Sequence, residues 1–122
     1  SSREEISEMK DPFSDSIDLQ AIGRDILERD VQKKSVDWAR LRGYWARKFS
    51  SPANRSVPDY LFARFEFNDK FAVEFKRPGR KSTQAQLDEQ ELMRKAGWDV
   101  HECDSFEKFK ELVLTREKAQ RA

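Results

Sequence analysis

Three charged side chains in the middle of the sequence have types and spacing suited to phosphodiester chemistry. Glu74 and Lys76 are two residues apart in an alternating segment, so on a strand both side chains leave the same face of a sheet. Asp59 begins the segment that precedes this strand. Two converging carboxylates can share a hard divalent cation, and a nearby lysine can position water or offset phosphate charge. Glu74 and Lys76 could instead form a plain ion pair on a partly exposed strand.

The elements that must position these residues are predicted in the order α-β-β-β-α-β-α. The first helix begins at Ser16 or Asp18, runs to about Arg42 and stops at Gly43, although Gly23 could divide it in two. Its predicted buried stripe is Leu19, Ile22, Ile26, Leu27, Val31, Trp38 and Leu41. The predicted strands are residues 44–49, 59–67, 70–77 and 98–103.

The two remaining helices follow the third strand and the last strand. One begins at Ser82 or Thr83 and ends at Gly97, and the other begins at Ser105. This order predicts an α/β fold in which one mixed sheet is flanked by helices and a helical crossover leads to the last strand.

The hairpin between the second and third strands creates a conflict with the proposed site. A tight turn at residues 68–69 would pair Ala63 with Glu74 and leave Asp59 four residues too far along. That offset is on the order of 13 Å at the rise of a strand. A wider turn, a bulge or a bend at Pro58, which has no N–H to pair, must therefore bring the two carboxylates together.

Composition limits the class of protein. The chain has 122 residues, 39% of them charged and 37% hydrophobic, which indicates a water-soluble domain. We expect residues 1–15 to be an acidic tail and residues 16–122 to be one domain. One Cys and one His exclude an internal disulfide framework and zinc sites with several Cys or His ligands. No apolar run approaches the roughly 18 residues of a membrane span, and no signal segment is visible, so a cytoplasmic location is expected.

Charge is unevenly distributed along the chain. The net charges of residues 1–30, 31–81 and 82–122 are −5, +8 and −2. A basic middle third indicates a localised anionic partner, whereas charges that cancel across the folded surface would indicate none. Charge alone does not decide between these two interpretations.

A composite of short motifs resembles the PD-(D/E)xK nuclease superfamily and, within it, the VRR-NUC family of virus-type replication-repair nuclease domains. The motifs are Pro58-Asp59, Glu74-Phe75-Lys76, Pro78-Gly79 and Thr83-x-x-Gln86, the last opening a helix that ends at Gly97. The resemblance covers roughly residues 24–114 and implies a restriction-endonuclease-like αβββαβ core. One departure is Ser56, at a position where the family commonly has glycine.

The resemblance implies roles for the central residues. Asp59 and Glu74 would ligate Mg²⁺ or Mn²⁺, with the backbone carbonyl of Phe75 as a further ligand. Lys76 would hold the nucleophilic water or the scissile phosphate, and Gln86 would hydrogen-bond one of them.

Two residues of the first helix match the family's N-terminal acidic position. Glu28 would bind the metal directly or through water, and Gln32, one turn later on the same face, would contact the nucleic acid.

Basic residues near the motifs are candidates for phosphate contacts. Residues 76–81 carry four positive charges, of which Arg77, Arg80 and Lys81 would contact the DNA backbone, although a solvated turn is the alternative. A second basic cluster consists of Arg40, Arg42, Arg47, Lys48 and Arg55. Such contacts are independent of base sequence and weaken as salt rises, so selectivity should be for DNA shape.

The resemblance implies a metal-dependent endonuclease acting on structured or branched DNA, similar to phage and bacterial Holliday-junction resolvases that work as homodimers. A non-catalytic DNA- or partner-binding module and an RNA-directed nuclease are the alternatives. Of the remaining residues, His101 should be a packed or half-exposed strand residue and Cys103 a buried filler. Trp38, Trp45 and Trp98 should belong to the core rather than stack on bases.

Overall fold

The computed structural model describes residues 19–121, with side chains from residue 27 onward. The helices are α1 (Leu19–Leu41), α2 (Gln84–Lys95) and α3 (Phe106–Arg121). The strands are β1 (Tyr44–Lys48), β2 (Tyr60–Arg64), β3 (Asp69–Phe75) and β4 (Val100–Cys103). The predicted element order is confirmed, whereas the predicted acidic tail and the helix start at Ser16 or Asp18 lie outside the described residues. No helix within residues 19–121 is long and apolar enough to cross a membrane.

The strands form one mixed sheet in the order β1-β2-β3-β4. The pairs β1–β2 and β2–β3 are antiparallel, and β3–β4 is parallel. A parallel pair requires a crossover connection, which α2 provides. The predicted mixed sheet with flanking helices is therefore confirmed.

Helix α1 continues through Gly23 and ends as predicted, with Gly43 at a φ of 91°. Its buried side was predicted only in part. Val31 is buried and Trp38 packs against the core, but Leu27 and Leu41 are 52% and 88% exposed. Their places are taken by Val36 and Ala39, which are buried. The side chains of Leu19, Ile22 and Ile26 lie outside the described residues.

The errors in the stripe have a geometric cause. Leu41 is two residues beyond Ala39 and so lies about 200° around the helix from the face that meets the sheet. Leu27 lies one turn before Val31, the first buried residue of the described stripe. Periodicity identified the helix but not the stretch of it that the sheet covers.

The two faces of β3 have different roles, as its alternation predicts. Phe71, Val73 and Phe75 are fully buried in the core beneath α1 and α3. This core is largely aromatic, and the rings of Phe62 and Phe71 stack at 5.2 Å between centroids. The opposite face of β3 carries Ala72, Glu74 and Lys76, which α2 partly covers. Glu74 and Lys76 thus project from the face of the sheet opposite a rigid apolar core.

The turn between β2 and β3 is wider than a two-residue hairpin. Arg64 pairs with Asp69, which leaves residues 65–68 as the turn, and Glu66 adopts a φ of 69° within it. The ladder runs on to the pair Tyr60 and Val73, so the next position outward brings Asp59 beside Glu74. The predicted tight turn is wrong, and the wider turn removes the four-residue offset.

Helix α3 holds this turn in place. Arg116 donates from Nε to both carboxylate oxygens of Asp69, at 3.1 and 3.2 Å, and its guanidinium lies 4.4 Å from the centre of the Phe71 ring. Asp69 is only 9% exposed at the start of β3. This ion pair ties the first residue of β3 to α3 and so supports the register of the hairpin.

Candidate active site

Asp59 is fixed where β2 begins. Pro58, which has no N–H to donate, is buried just before it. The carbonyl oxygen of Asp59 accepts a 2.7 Å hydrogen bond from the N–H of Phe49, which extends the pairing of β1 with β2. Its side-chain Oδ2 accepts a 2.8 Å bond from the N–H of Phe75. The Asp59 carboxylate is therefore held at the end of β3, next to Glu74 in register.

Glu74 and Lys76 are buried side chains on the α2 side of β3. They are 4% and 5% exposed, and Lys76 Nζ lies 3.4 Å from Glu74 Oε2. Gln86 bridges the pair, since its Oε1 accepts from Lys76 Nζ at 2.7 Å and its Nε2 donates to Glu74 Oε2 at 3.3 Å. The structure thus brings together Asp59, Glu74, Lys76 and Gln86, four of the residues singled out in the sequence.

The start of α2 determines where Gln86 points. Thr83 is the N-cap, and its Oγ1 accepts a 3.2 Å bond from the N–H of Gln86. In return, Gln86 Oε1 accepts a 3.0 Å bond from the N–H of Thr83, which completes a capping box. The same oxygen that caps the helix accepts from Lys76. A local helix-start signal therefore also orients the amide toward the carboxylates.

Burial and mutual repulsion perturb both carboxylates. Burial raises the pKa of Glu74 to about 8, and the charges of Asp59 and Glu28 act in the same direction, against the lowering effect of Lys76. Burial also raises the pKa of Asp59, although the Phe75 N–H, Lys48 and Lys76 oppose this. One lysine does not offset the buried carboxylate of Glu74 and the partly buried carboxylate of Asp59, so the site favours binding of further positive charge.

The residues fit a hard divalent cation. Oε1 of Glu74 is buried and has no hydrogen-bond partner among the described residues. The N–H and C=O of one strand residue point toward the same neighbour, so the Phe75 carbonyl faces the side that holds Asp59. Within residues 27–121, no three His, Cys, Asp or Glu side chains cluster as a metal site. Mg²⁺ nevertheless binds commonly through one or two carboxylates, with water and substrate phosphate completing its shell.

The two predicted residues of α1 are both partly exposed. Glu28 is partly exposed, and its charge contributes to the raised pKa of Glu74, so it acts on the site through the electrostatic field. Gln32 is partly exposed one turn further along α1. Glu28 does not complete a cluster of three possible metal ligands with Asp59 and Glu74 within the described part of the chain.

Most of the predicted phosphate-binding residues are exposed. Arg47, Lys48, Arg55, Arg80 and Lys81 are exposed, and Arg77 is partly buried. Lys48 and Arg55 line a groove of about 340 Å³ together with Asp59, so this groove leads to the candidate site. The Nε of Arg77 is buried without a hydrogen-bond partner in the described part of the chain.

Arg40 and Arg42, also assigned to the second basic cluster, bond within the fold. Arg40 donates to the carbonyl of Ala46 at 2.7 Å, and Arg42 forms an ion pair with the buried Glu117. Their guanidinium groups brace the junction of α1, β1 and α3 instead of extending a DNA-binding surface.

Several positioning residues were missed in the sequence. Glu102 lies beside Glu74 in the parallel register of β3 and β4, and it accepts hydrogen bonds from Ser82 and from Gln90 Nε2, the latter at 2.9 Å. The buried Gln90 is one turn beyond Gln86, so these bonds fix the helix that carries Gln86. The alternation of β4 and the four-residue spacing of the glutamines were the signals for this network.

The basic loop, residues 76–81, has its own anchor. The N–H of Gly79, whose φ is 80°, donates a 3.1 Å bond to Asp104 Oδ2. Only glycine adopts this left-handed conformation without steric cost. Asp104 follows β4 directly, so the end of the sheet holds the loop that leaves the candidate site.

The remaining expectations had mixed outcomes. Cys103 is buried, and burial raises the pKa of its thiol to about 12. His101 is a partly exposed residue of β4 whose Nε2 lies 2.9 Å from Asp99 Oδ1. Trp38 packs against the core, but Trp98 is 37% exposed, so the expectation of a core role was wrong for Trp98. Trp98 follows the turn that ends α2 and precedes β4.

The raised pKa of Glu74 predicts a pH-dependent effect of the Glu74→Gln substitution on stability. Glu74 binds its proton more tightly in the folded state, which stabilises that state. This stabilisation is complete below about pH 4.5 and is lost as pH rises through about 8. In EDTA, the stability of the variant relative to wild type should increase from pH 5 to pH 8. The slope is limited to about 1.4 kcal/mol per pH unit. Urea denaturation at several pH values measures it, and a difference that is constant with pH would contradict the prediction.

Known proteins resemble this chain in sequence and in fold. No protein-family model matches the chain. It is 40% identical over 80 residues to "Putative nuclease p44" of Acyrthosiphon pisum secondary endosymbiont phage 1, covering 66% of this chain and 85% of that protein. A solved structure described as "VRR_NUC domain" superposes with a TM-score of 0.64 at 30% identity, covering 70% of this chain and 92% of the other. Because both matched proteins are at least 30% identical to the chain and are covered over most of their length, the chain belongs to the VRR-NUC family of nucleases.

Proposed function

We propose that the protein is a metal-dependent endonuclease that hydrolyses phosphodiester bonds in structured or branched DNA, with Mg²⁺ or Mn²⁺ as cofactor. The observation that carries this proposal is the group formed by Asp59, Glu74, Lys76 and Gln86 at one end of the sheet, in which Glu74 and Lys76 are buried. Membership of a nuclease family supports it. Asp59, Glu74 and the Phe75 carbonyl would hold the ion, with Glu28 contributing directly or through water.

Each polar group has a task in the proposed hydrolysis. The water oxygen bonds to phosphorus, one phosphorus–oxygen bond to sugar breaks, and one water proton passes to the leaving oxygen. When bound, the divalent ion supplies positive charge that stabilises the phosphate in the transition state. The short contacts of Lys76 with Glu74 and Gln86 support a role for its ammonium in holding the water or a phosphate oxygen. The Gln86 amide, which Thr83 already orients, would hydrogen-bond the same water or phosphate oxygen.

The exposed basic side chains would follow the DNA backbone on both sides of the site. Lys48, Arg47 and Arg55 would bind phosphates on the side of β1, and Gln32 would contact the same backbone from α1. Arg77, Arg80 and Lys81 would bind phosphates from the basic loop. None of the elements bearing these residues resembles a base-reading module, which supports selectivity for DNA shape.

We further propose that the active form is a homodimer built from one nuclease domain per chain, residues 16–122, preceded by an acidic tail. A branched substrate has two strands to cut, and two sites in one dimer can act on both. Sedimentation with and without a four-way junction tests this assembly: a dimer is expected, and a monomer on the junction would contradict it.

Loss of either carboxylate or of Lys76 should remove cleavage while leaving DNA binding. Asp59→Asn, Glu74→Gln and Lys76→Ala should each reduce nicking by at least about 100-fold, because each removes charge that acts in the transition state. Affinity for DNA in EDTA should change by less than about threefold, because backbone contacts dominate it. Gel assays on labelled duplex, four-way junction, flap and RNA, each with EDTA, Mg²⁺ or Mn²⁺, measure the outcome.

Lys70→Ala provides the matched control. Lys70 lies in β3 on the same face as Glu74, but it is exposed and pairs with Ala63, away from the site. It should retain wild-type nicking. If the wild-type protein cuts none of the substrates with either ion but still binds DNA, it is a non-catalytic binding module. Cleavage confined to RNA would instead identify a ribonuclease.

Removal of basic-loop charges should weaken binding through electrostatics alone. Arg80→Ala and Lys81→Ala should each reduce the slope of log affinity against log salt by about 1, with equal losses on different sequences. Lys118→Ala, an exposed lysine near the end of α3, serves as the charge-matched control and should leave the slope unchanged. Fluorescence anisotropy over a salt series measures the slopes, and equal slopes for Arg80→Ala and Lys118→Ala would contradict this assignment.

A further inference from the structure

An apolar cavity lies on the same side of the sheet as the candidate site. It has a volume of about 300 Å³ and is lined by Phe49, Val57, Leu61, Met93, Trp98 and Glu89. That volume is at the lower end of the range for small-ligand sites, roughly 300–1,000 Å³. Trp98, one of its two aromatic lining residues, is 37% exposed. No step of the proposed hydrolysis uses this cavity.

The cavity adjoins the basic groove that leads to Asp59, because the two share lining residues. Phe49 and Val57 line both the cavity and the groove that contains Lys48, Arg55 and Asp59. The N–H of Phe49 donates to the carbonyl of Asp59, so the shared wall is one residue pair away from a candidate metal ligand. A phosphate in the groove would therefore place its own or the neighbouring nucleotide at the mouth of the cavity.

We infer that this cavity binds an unpaired nucleobase of the DNA substrate, next to the phosphate held at the candidate site. The inference rests on the proposed nuclease function and adds a specificity element to it. Apolar and aromatic walls bind the face of a base, whereas the lysine and arginine of the adjoining groove bind its phosphate. This pairing of apolar and basic surfaces matches a nucleotide better than it matches an apolar protein segment.

One polar wall residue is suited to the edge of a base. Glu89 Oε1 accepts a 2.8 Å bond from Asn54 Nδ2, which links α2 to the loop that carries Arg55 and Val57. A carboxylate at such a wall accepts hydrogen bonds from exocyclic amino groups of bases. The Asn54–Glu89 bond also keeps the loop over the cavity. An unpaired base is required, because a base inside a duplex cannot reach a pocket beside the backbone.

Base-dependent binding tests the inference. Fluorescence anisotropy in EDTA compares three labelled DNAs of one sequence: a perfect duplex, a duplex with one bulged cytidine, and the same bulge with an abasic site. Wild-type protein should bind the cytidine bulge about tenfold more tightly than the abasic bulge, the effect expected for one stacked base. Trp98→Ala should remove this difference and leave duplex affinity unchanged, whereas Trp98→Phe should keep most of it.

Leu92→Ala provides the matched control for loss of an exposed apolar side chain. Leu92 is 60% exposed on α2 and does not line the cavity. It should retain the tenfold preference. The wild-type comparison of cytidine with abasic bulge needs no variant, so it remains decisive if Trp98→Ala fails to fold.

Two results would overturn the inference. Equal affinity of the wild-type protein for both bulges would show that no base enters the cavity. If Trp98→Ala loses the dimer mass in sedimentation and binds all three DNAs equally weakly, the cavity is a contact between subunits and not a base pocket. Neither result bears on nicking, which tests the proposed function separately.

Discussion

The candidate active site depends on the pairing register between β2 and β3. A strand alternates its faces with each residue, so a shift by one position would turn Asp59 to the opposite side of the sheet, and a shift by two would move it roughly 7 Å along the strand. The four-residue turn at 65–68 sets the register, and the Arg116–Asp69 ion pair anchors β3 against α3. Residues far from the site thus determine whether two carboxylates can share one ion.

The second constraint is electrostatic. On the face of β3 opposite the aromatic core, Glu74 and Lys76 are almost completely buried, and Asp59 brings a second carboxylate to the same place. One ammonium cannot offset both anions, and one oxygen of Glu74 has no partner within the described residues. Two carboxylates beside a single ammonium group lower the free energy of unfolding unless a cation binds to them. The capping box of α2 and the hydrogen bonds of Glu102 hold Gln86 beside Glu74 and Lys76. The same hydrogen bonds therefore stabilise the helix and the arrangement of the site.

The sequence predicted the element order, the end of α1, the start of α2 and the two faces of β3, because glycines, caps and alternation are local signals. Short motifs also identified Asp59, Glu74, Lys76 and Gln86 as a group. The sequence left open whether a wider turn, a bulge or a bend at Pro58 aligns the carboxylates, because the turn depends on a positive φ at Glu66 and on an ion pair with a residue 47 positions away. Long-range packing likewise decided that Leu41 faces solvent, that Arg42 pairs with Glu117, and that Trp98 stays partly exposed.

In the proposed site, Asp59 and Glu74 hold one divalent cation. Anomalous X-ray scattering from crystals of the protein grown with Mn²⁺ would locate such an ion. We expect one anomalous peak in contact with an oxygen of each carboxylate and with the Phe75 carbonyl, at about 2.0–2.3 Å, within the range of hard divalent ions bound by oxygen. A fully occupied crystal with no peak between these two carboxylates, or with Mn²⁺ bound elsewhere only, would contradict this proposal.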